Sequence, residues 1–148
     1  MSPAELQRYL HTHIPISKEM GVKVVTTVDE LVLSAPLAPN INHRETVFGG
    51  SASALAILSA WSLVHCRLKA EGISARLVIQ QNSMSYERPI QGEFQAKAAV
   101  ASPALWRRFV KTHRRMGRGR VQVSALLSSG GEVVGRFSGA FVTLPQHD

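Results

Sequence analysis

From Gly50 to Glu71 the chain runs Gly-Ser-Ala-Ser-Ala-Leu-Ala-Ile-Leu-Ser-Ala-Trp-Ser-Leu-Val-His-Cys-Arg-Leu-Lys-Ala-Glu, with no charged side chain before Arg67. Alanine and leucine dominate, and the composition predicts a helix of about 20 residues. Its first four turns are apolar on every face, and such a helix is stable only if it is covered on every side. Arg67, Lys69 and Glu71 mark where it emerges, and Gly72 suits the position just past its end. A flat sheet covers only one side of a helix. The chain therefore needs a strongly curved sheet that wraps this segment, and a partner for whatever the sheet leaves open.

The rest of the sequence supplies strands for such a sheet. Ser2, Pro3 and Glu5 form a capping box at the start of a short first helix, with Leu6 and Leu10 on one face and Pro15 as its expected end. Two β-branched runs, Val22–Val28 and Leu31–Ala35, read as a hairpin turning at Asp29-Glu30. Asn40 to Glu45 reads as a polar loop. After the long helix, strands are expected over 75–86, 93–101, 120–127 and 133–144, with a hairpin turn at Ser129-Gly130-Gly131-Glu132. Trp106–His113 is expected to be a short helical or irregular bridge, with no second long helix. The expected class is α+β, a curved antiparallel sheet wrapped around one long buried helix. The 148 residues suggest one domain, 1–148.

This order is that of the hot-dog fold, in which two protomers usually pair their sheets. Two motifs carry a resemblance to hot-dog thioesterases. Asn42-His43-Arg44-Glu45-Thr46-Val47-Phe48-Gly49-Gly50-Ser51 resembles their active-site loop, and Ser85-Tyr86-Glu87-Arg88-Pro89-Ile90-Gln91-Gly92-Glu93 resembles their Tyr-x-Arg-Pro-x-x-Gly segment. Over about Ile14–Pro145 the chain most resembles the thioesterase domain family of the YiiD C-terminal type. The resemblance implies hydrolysis of acyl-coenzyme A or acyl-carrier-protein esters by a homodimer or dimer of dimers. A non-catalytic protein that binds acyl ligands is the alternative.

The residues of the loop support a chemical reading of their own. Gly49-Gly50 at a helix start lets a ligand approach the backbone, and the first turn offers unpaired N–H groups at a positive dipole end. Such donors stabilise the oxyanion of a thioester's tetrahedral intermediate, and Gly50 is the best candidate. Asn42 is a candidate to orient water or polarise the carbonyl, and His43 a candidate general base. Against this stand plainer readings: glycines that allow close packing, a turn asparagine and an exposed loop histidine. Thr46, Gly49, Ser53 and Asn82 are secondary candidates. Many hot-dog thioesterases carry an acid on the central helix, where this chain has Ile57 and Leu58. No carboxylate occurs between Glu45 and Glu71, so either Glu45 or Glu87 supplies one or Asn42 and His43 act without one.

The other histidines invite plainer readings. His11, His13 and His147 lie near the termini, His113 sits among arginines on the expected surface, and His65 reads as a packed, hydrogen-bonded core residue. Cys66 reads as packed and cannot form an intramolecular disulfide, which points to a reducing, cytoplasmic setting. No leader is evident, and the apolar stretch Phe48–Val64 is interrupted by serines and too short to span a bilayer. Cysteine and histidine spacing suits no zinc site, and no cofactor is expected.

Charge is unevenly placed. Seven of the 17 basic residues fall within 107–120, and no Asp or Glu lies between Glu93 and Glu132. Such a zone suits nucleic acid, an anionic membrane, a phosphorylated small molecule or solvent. Arg114, Arg115 and Arg118, with Arg88, are the candidates for coenzyme A phosphates. Only Trp106 and Phe109 interleave the zone, so nucleic acid is the less favoured partner.

Overall fold

A computed structural model describes residues 1–146, so His147 lies outside the described residues. The elements in chain order are α1 (Pro3–His13), α2 (Pro15–Glu19), β1 (Lys23–Thr26), β2 (Leu31–Ala35), a 3-10 turn (Ala38–Asn40), α3 (Gly49–Ala70), β3 (Arg76–Tyr86), β4 (Phe94–Val100), α4 (Pro103–Met116), β5 (Gly119–Ser129) and β6 (Glu132–Leu144). The six strands form one sheet in the order β1-β2-β4-β5-β6-β3, antiparallel throughout. The fold is the hot-dog fold expected from the pattern.

The helix α3 is the axis of the core. Ala52, Leu55, Ala56, Leu58 and Ser59 are buried on its first turns, and Ala60, Ser62, Leu63, Val64 and Leu68 further on. It meets the inward faces of the strands, where Leu33, Phe94, Ala96, Val123, Leu127 and Phe141 are almost completely covered. In β5 the alternation is regular: Val121, Val123, Ala125 and Leu127 point in, and their neighbours point out. At 22 residues α3 is longer than its apolar run suggested. By length and composition alone it would suit a bilayer, yet the sheet occupies the place that lipid would take. A stripe of Ala54, Ile57, Trp61 and His65 remains only half-buried.

Two local expectations are corrected. Pro15 does not simply end the first helix. The chain turns at Ile14, and Pro15 then opens a second short helix, where its missing N–H costs nothing. The stretch expected to be a short bridge is a 14-residue helix, α4. Ser102 Oγ accepts the Leu105 N–H at 3.1 Å, Pro103 occupies the first turn, and Gly117 ends the helix in the left-handed conformation at φ 75°. Trp106, Phe109 and Val110 form its buried face. Helix α4 is tied to the C-terminal end of α3 by Arg67 over the Trp106 ring at 5.4 Å. A second tie is Arg114, whose Nη2 donates to Glu71 O at 3.0 Å.

The histidines also find specific places. His11 Nε2 lies 2.8 Å from Val22 O, and His113 is not a surface bystander: its Nδ1 lies 2.8 Å from the hydroxyl of buried Thr143. His65 is packed as expected, its ring 4.7 Å from that of Tyr9 and 4.6 Å from that of Trp61. Trp61 Nε1 in turn donates to Leu77 O at 2.9 Å. His65 Nε2, however, is buried without a hydrogen-bond partner among the described residues. Burial pushes the His65 pKa below its ordinary 6.5, and the positive charges of Lys69, the N-terminus and His13 push it the same way. The folded state therefore disfavours the protonated ring, and the unfolded state binds that proton more readily. The contribution is fully present above the ordinary pKa of 6.5 and is lost as pH falls below it. Urea unfolding at a series of pH values should show this loss in the native chain, with a shallower pH dependence in His65→Gln. Identical pH dependence in the two chains would refute it.

Candidate active site

The site is built where the loop before α3 meets the connection after β3. The loop is pinched by the bridge Ile41↔Val47, and Asn42 is its hub. Asn42 N–H donates to Thr46 O at 2.8 Å. Its side-chain Oδ1 accepts from Arg44 N at 2.8 Å, Thr46 N at 3.1 Å and Thr46 Oγ1 at 3.2 Å. Its Nδ2 donates to Thr46 Oγ1 at 3.0 Å and, more weakly, to Val47 O at 3.4 Å. Glu45 takes a left-handed φ of 64°, a conformation that favours Gly, Asn or Asp. Neighbouring bonds hold the loop in this shape. Val47 N–H donates to Ile90 O at 2.9 Å and Phe48 N–H to Asn40 O at 2.8 Å. Buried Asn40 donates its Nδ2 to Met20 O and Pro36 O at 2.9 and 2.8 Å.

This scaffold delivers an open helix start. Phe48 is the N-cap and offers no side-chain acceptor, while its carbonyl accepts from Ser51 and Ala52 N–H. The N–H groups of Gly49 and Gly50 have no acceptor among the described residues. Two half-exposed rings flank them. A Cβ on Gly50 would lie 2.3 Å from Phe48 Cε2, and one on Gly49 would lie 3.5 Å from Tyr86 Cε1 and 3.9 Å from its hydroxyl. Gly50 is what lets the Phe48 ring lie over the helix start, whereas a Cβ on Gly49 would meet Tyr86 at ordinary contact distance.

Beside Gly49 opens a hollow of about 410 Å³. Val47, Ala52, Met84, Ile90 and Val134 make its apolar wall, and Thr46, Tyr86, Glu87 and Arg88 supply polar groups. Glu87 and Arg88 both reach it because the strand bulges there: both N–H groups donate to Val134 O, at 2.9 and 3.2 Å. Glu87 is paired with Arg136 at 3.0 Å, and the more exposed Arg88 with Glu132 at 3.2 Å.

Of the residues expected from sequence, Thr46, Gly49 and Arg88 line the hollow, while Gly50, next to Gly49 in the chain, is not among the lining residues. Asn42 stands behind it with its polar atoms occupied. His43 and Glu45 are exposed on the loop, outside the lining residues. Ser53 lies half-buried in α3, and Asn82 is exposed in β3 opposite Gly139; neither lines the hollow. Arg114 is at the other end of α3, about 33 Å away for 22 residues at 1.5 Å each. Arg115 and Arg118 follow it, so one protomer does not bring these three to Gly50. Tyr86, not among the residues expected from sequence to form the site, also lines the hollow. Its signal was the motif itself, but its nearness to Gly49 depends on how β3 pairs.

The fold and the hollow define a hot-dog protein of the thioesterase type, and comparison with known proteins narrows this. The chain belongs to the family described as "Putative thioesterase (yiiD_Cterm)", whose model matches residues 3–145. It is similar to a protein of unknown function from Chlorobaculum tepidum TLS, with a TM-score of 0.92, 26% identity and 98% of each chain covered. It is also similar to a "putative thioesterase" from Shewanella oneidensis, with a TM-score of 0.87, 26% identity and 97% of each chain covered. A Pseudomonas aeruginosa protein described as "Probable Thioesterase" shares the fold, with a TM-score of 0.81 at 20% identity over 96% of this chain and 95% of its own.

The loop geometry separates structure from chemistry. Asn42→Ala strips the acceptor from Arg44 and Thr46 N–H and should cost about 1–3 kcal/mol in chemical denaturation. His43→Ala, on the exposed part of the loop, should change stability by less than about 0.5 kcal/mol. Equal stability of both variants would refute the hub role of Asn42.

Proposed function

We propose that the protein hydrolyses acyl thioesters in the hollow at the start of α3. The observation that carries this is the pair of unpaired N–H groups at Gly49 and Gly50 beside an apolar hollow. A thioester carbonyl oxygen seated on these donors gains stabilisation as it becomes an oxyanion. The Tyr86 hydroxyl, close to Gly49, is a further donor to that oxygen. With no acid on the helix, Glu87 is the carboxylate that lines the hollow, and Arg136 fixes its orientation. In the proposed reaction Glu87 takes a proton as water attacks the carbonyl carbon. The tetrahedral intermediate then expels the thiolate, which takes the proton back from Glu87. His43 is the competing base, reachable only if the loop or a partner subunit brings it in. Arg88, at the rim, is the group placed to meet a phosphate of coenzyme A or of a carrier's pantetheine arm.

The test is release of free thiol from a panel of acyl-coenzyme A esters. Glu87→Gln should lower kcat about a hundredfold or more, and Tyr86→Phe should lower it by a comparable or smaller factor with little change in KM. A full rate in Glu87→Gln together with a collapse in His43→Ala would move the base to His43. If wild-type protein binds acyl-coenzyme A but releases no thiol, the non-catalytic binding reading replaces hydrolysis.

We also propose that the working form is a homodimer or dimer of dimers. Strand β3 is an 11-residue free edge of the sheet, and the stripe Ala54, Ile57, Trp61 and His65 of α3 is only half covered. A long unpaired edge beside an open apolar stripe is what pairing of two sheets would cover. Sedimentation at micromolar concentration should show a dimer or tetramer, and a stable monomer would sink this proposal.

A further inference from the structure

The cations of α4 are left over once the site at the other end of α3 is described. Trp106, Phe109 and Val110 face inward, while Arg107, Arg108, Lys111 and Arg115 are exposed, and exposed Arg118 follows just beyond Gly117. Arg108, Lys111 and Arg115 recur at three- and four-residue spacing, so they stand in one row along the outer face. Arg114 is held by Glu71 at 3.4 Å and Arg120 by Gln80 at 2.8 Å. No ion pair joins the other five to an acidic group among the described residues. At the two ends of the same helix, Leu105 and Met116 are 38% and 65% exposed.

We propose that this outer face of α4 docks on an anionic phospholipid surface. Arginine meets phosphate through a planar, bidentate fork, and four of these five outward cations are arginines. The helix is already capped at both ends and packed against the sheet, so binding does not have to fold it. The face has no central apolar anchor of the kind that dominates a protein interface. Its aromatic rings point into the core, so it offers no platform on which the bases of a single-stranded nucleic acid stack. What it does offer is a row of cations flanked by two exposed apolar side chains, which suits shallow seating at a charged membrane surface. The docking face lies at the opposite end of α3 from the Gly49 hollow, so its occupancy is read without any assay of activity.

The test is co-sedimentation of the full chain with phosphatidylcholine vesicles and with the same vesicles containing phosphatidylglycerol. Binding is expected only to the second, and it should weaken steeply as salt rises. Arg108→Gln/Lys111→Gln/Arg115→Gln should bind about tenfold less well or worse, with an unchanged melting temperature. Met116→Ser, which removes the apolar side chain without changing charge, should also weaken vesicle binding while leaving retention on heparin, a soluble polyanion, unchanged. No enrichment on anionic vesicles, or full binding by the triple variant, would overturn the proposal. So would tighter binding to duplex DNA that Met116→Ser does not alter, which would make the face a nucleic-acid surface. If the triple variant melts early, the single variants Arg108→Gln and Arg115→Gln, each at an exposed position, carry the comparison.

Discussion

A helix without a polar face governs this molecule. Water cannot solvate α3 favourably anywhere along its first four turns, so the sheet must bend around it. The bend has two consequences. One side of the helix, from Ala54 to His65, stays only half covered. The helix also meets the surroundings fully only at its ends, and both sites proposed for the protein lie there. The N-terminal end presents unpaired N–H groups, and the C-terminal end is capped by α4 through Arg114 and Trp106.

The N-terminal end is held open by strain that other contacts offset. Glu45 in a left-handed conformation is unfavourable by itself, of order 1 kcal/mol or more. The bonds gathered by the Asn42 side chain, and those from Val47 to Ile90 and Phe48 to Asn40, over-determine the loop. The same Val47–Ile90 bond ties the helix start to the segment that carries Tyr86, Glu87 and Arg88. Asn42 thus acts through position: it shapes the loop from which the donors at Gly49 and Gly50 emerge.

Helix α3 carries no acid, and the carboxylate that lines the hollow at its start comes from the segment after β3. A bulge opposite Val134 breaks the alternation of a regular strand, so that Glu87 and Arg88, adjacent in sequence, both line one hollow. The ion pair with Arg136 holds Glu87 Oε2 at 3.0 Å. A strand bulge here brings a carboxylate to the hollow, although the helix itself carries none.

The sequence by itself determined the elements whose signals are local. The charge-free run to Arg67, the Ser2-Pro3-Glu5 cap and the alternation from Val121 to Leu127 each specify an element, because period and capping depend only on near neighbours. The double glycine identified the helix start for the same reason. Helix α4 had its own local marks, Ser102-Pro103 and Gly117, but its dense arginines masked the spacing of Trp106, Phe109 and Val110. The tertiary structure alone decided the rest: that Asn42 spends its polar atoms inside its loop, that Tyr86 and Glu87 stand beside Gly49, and that Arg114 lies the full length of α3 from it. The Asn42 bonds are local but require the loop's closed shape, while the other two depend on which strands pair and where a bulge falls. Contacts between residues 40 or more positions apart leave no mark in the local pattern of either partner.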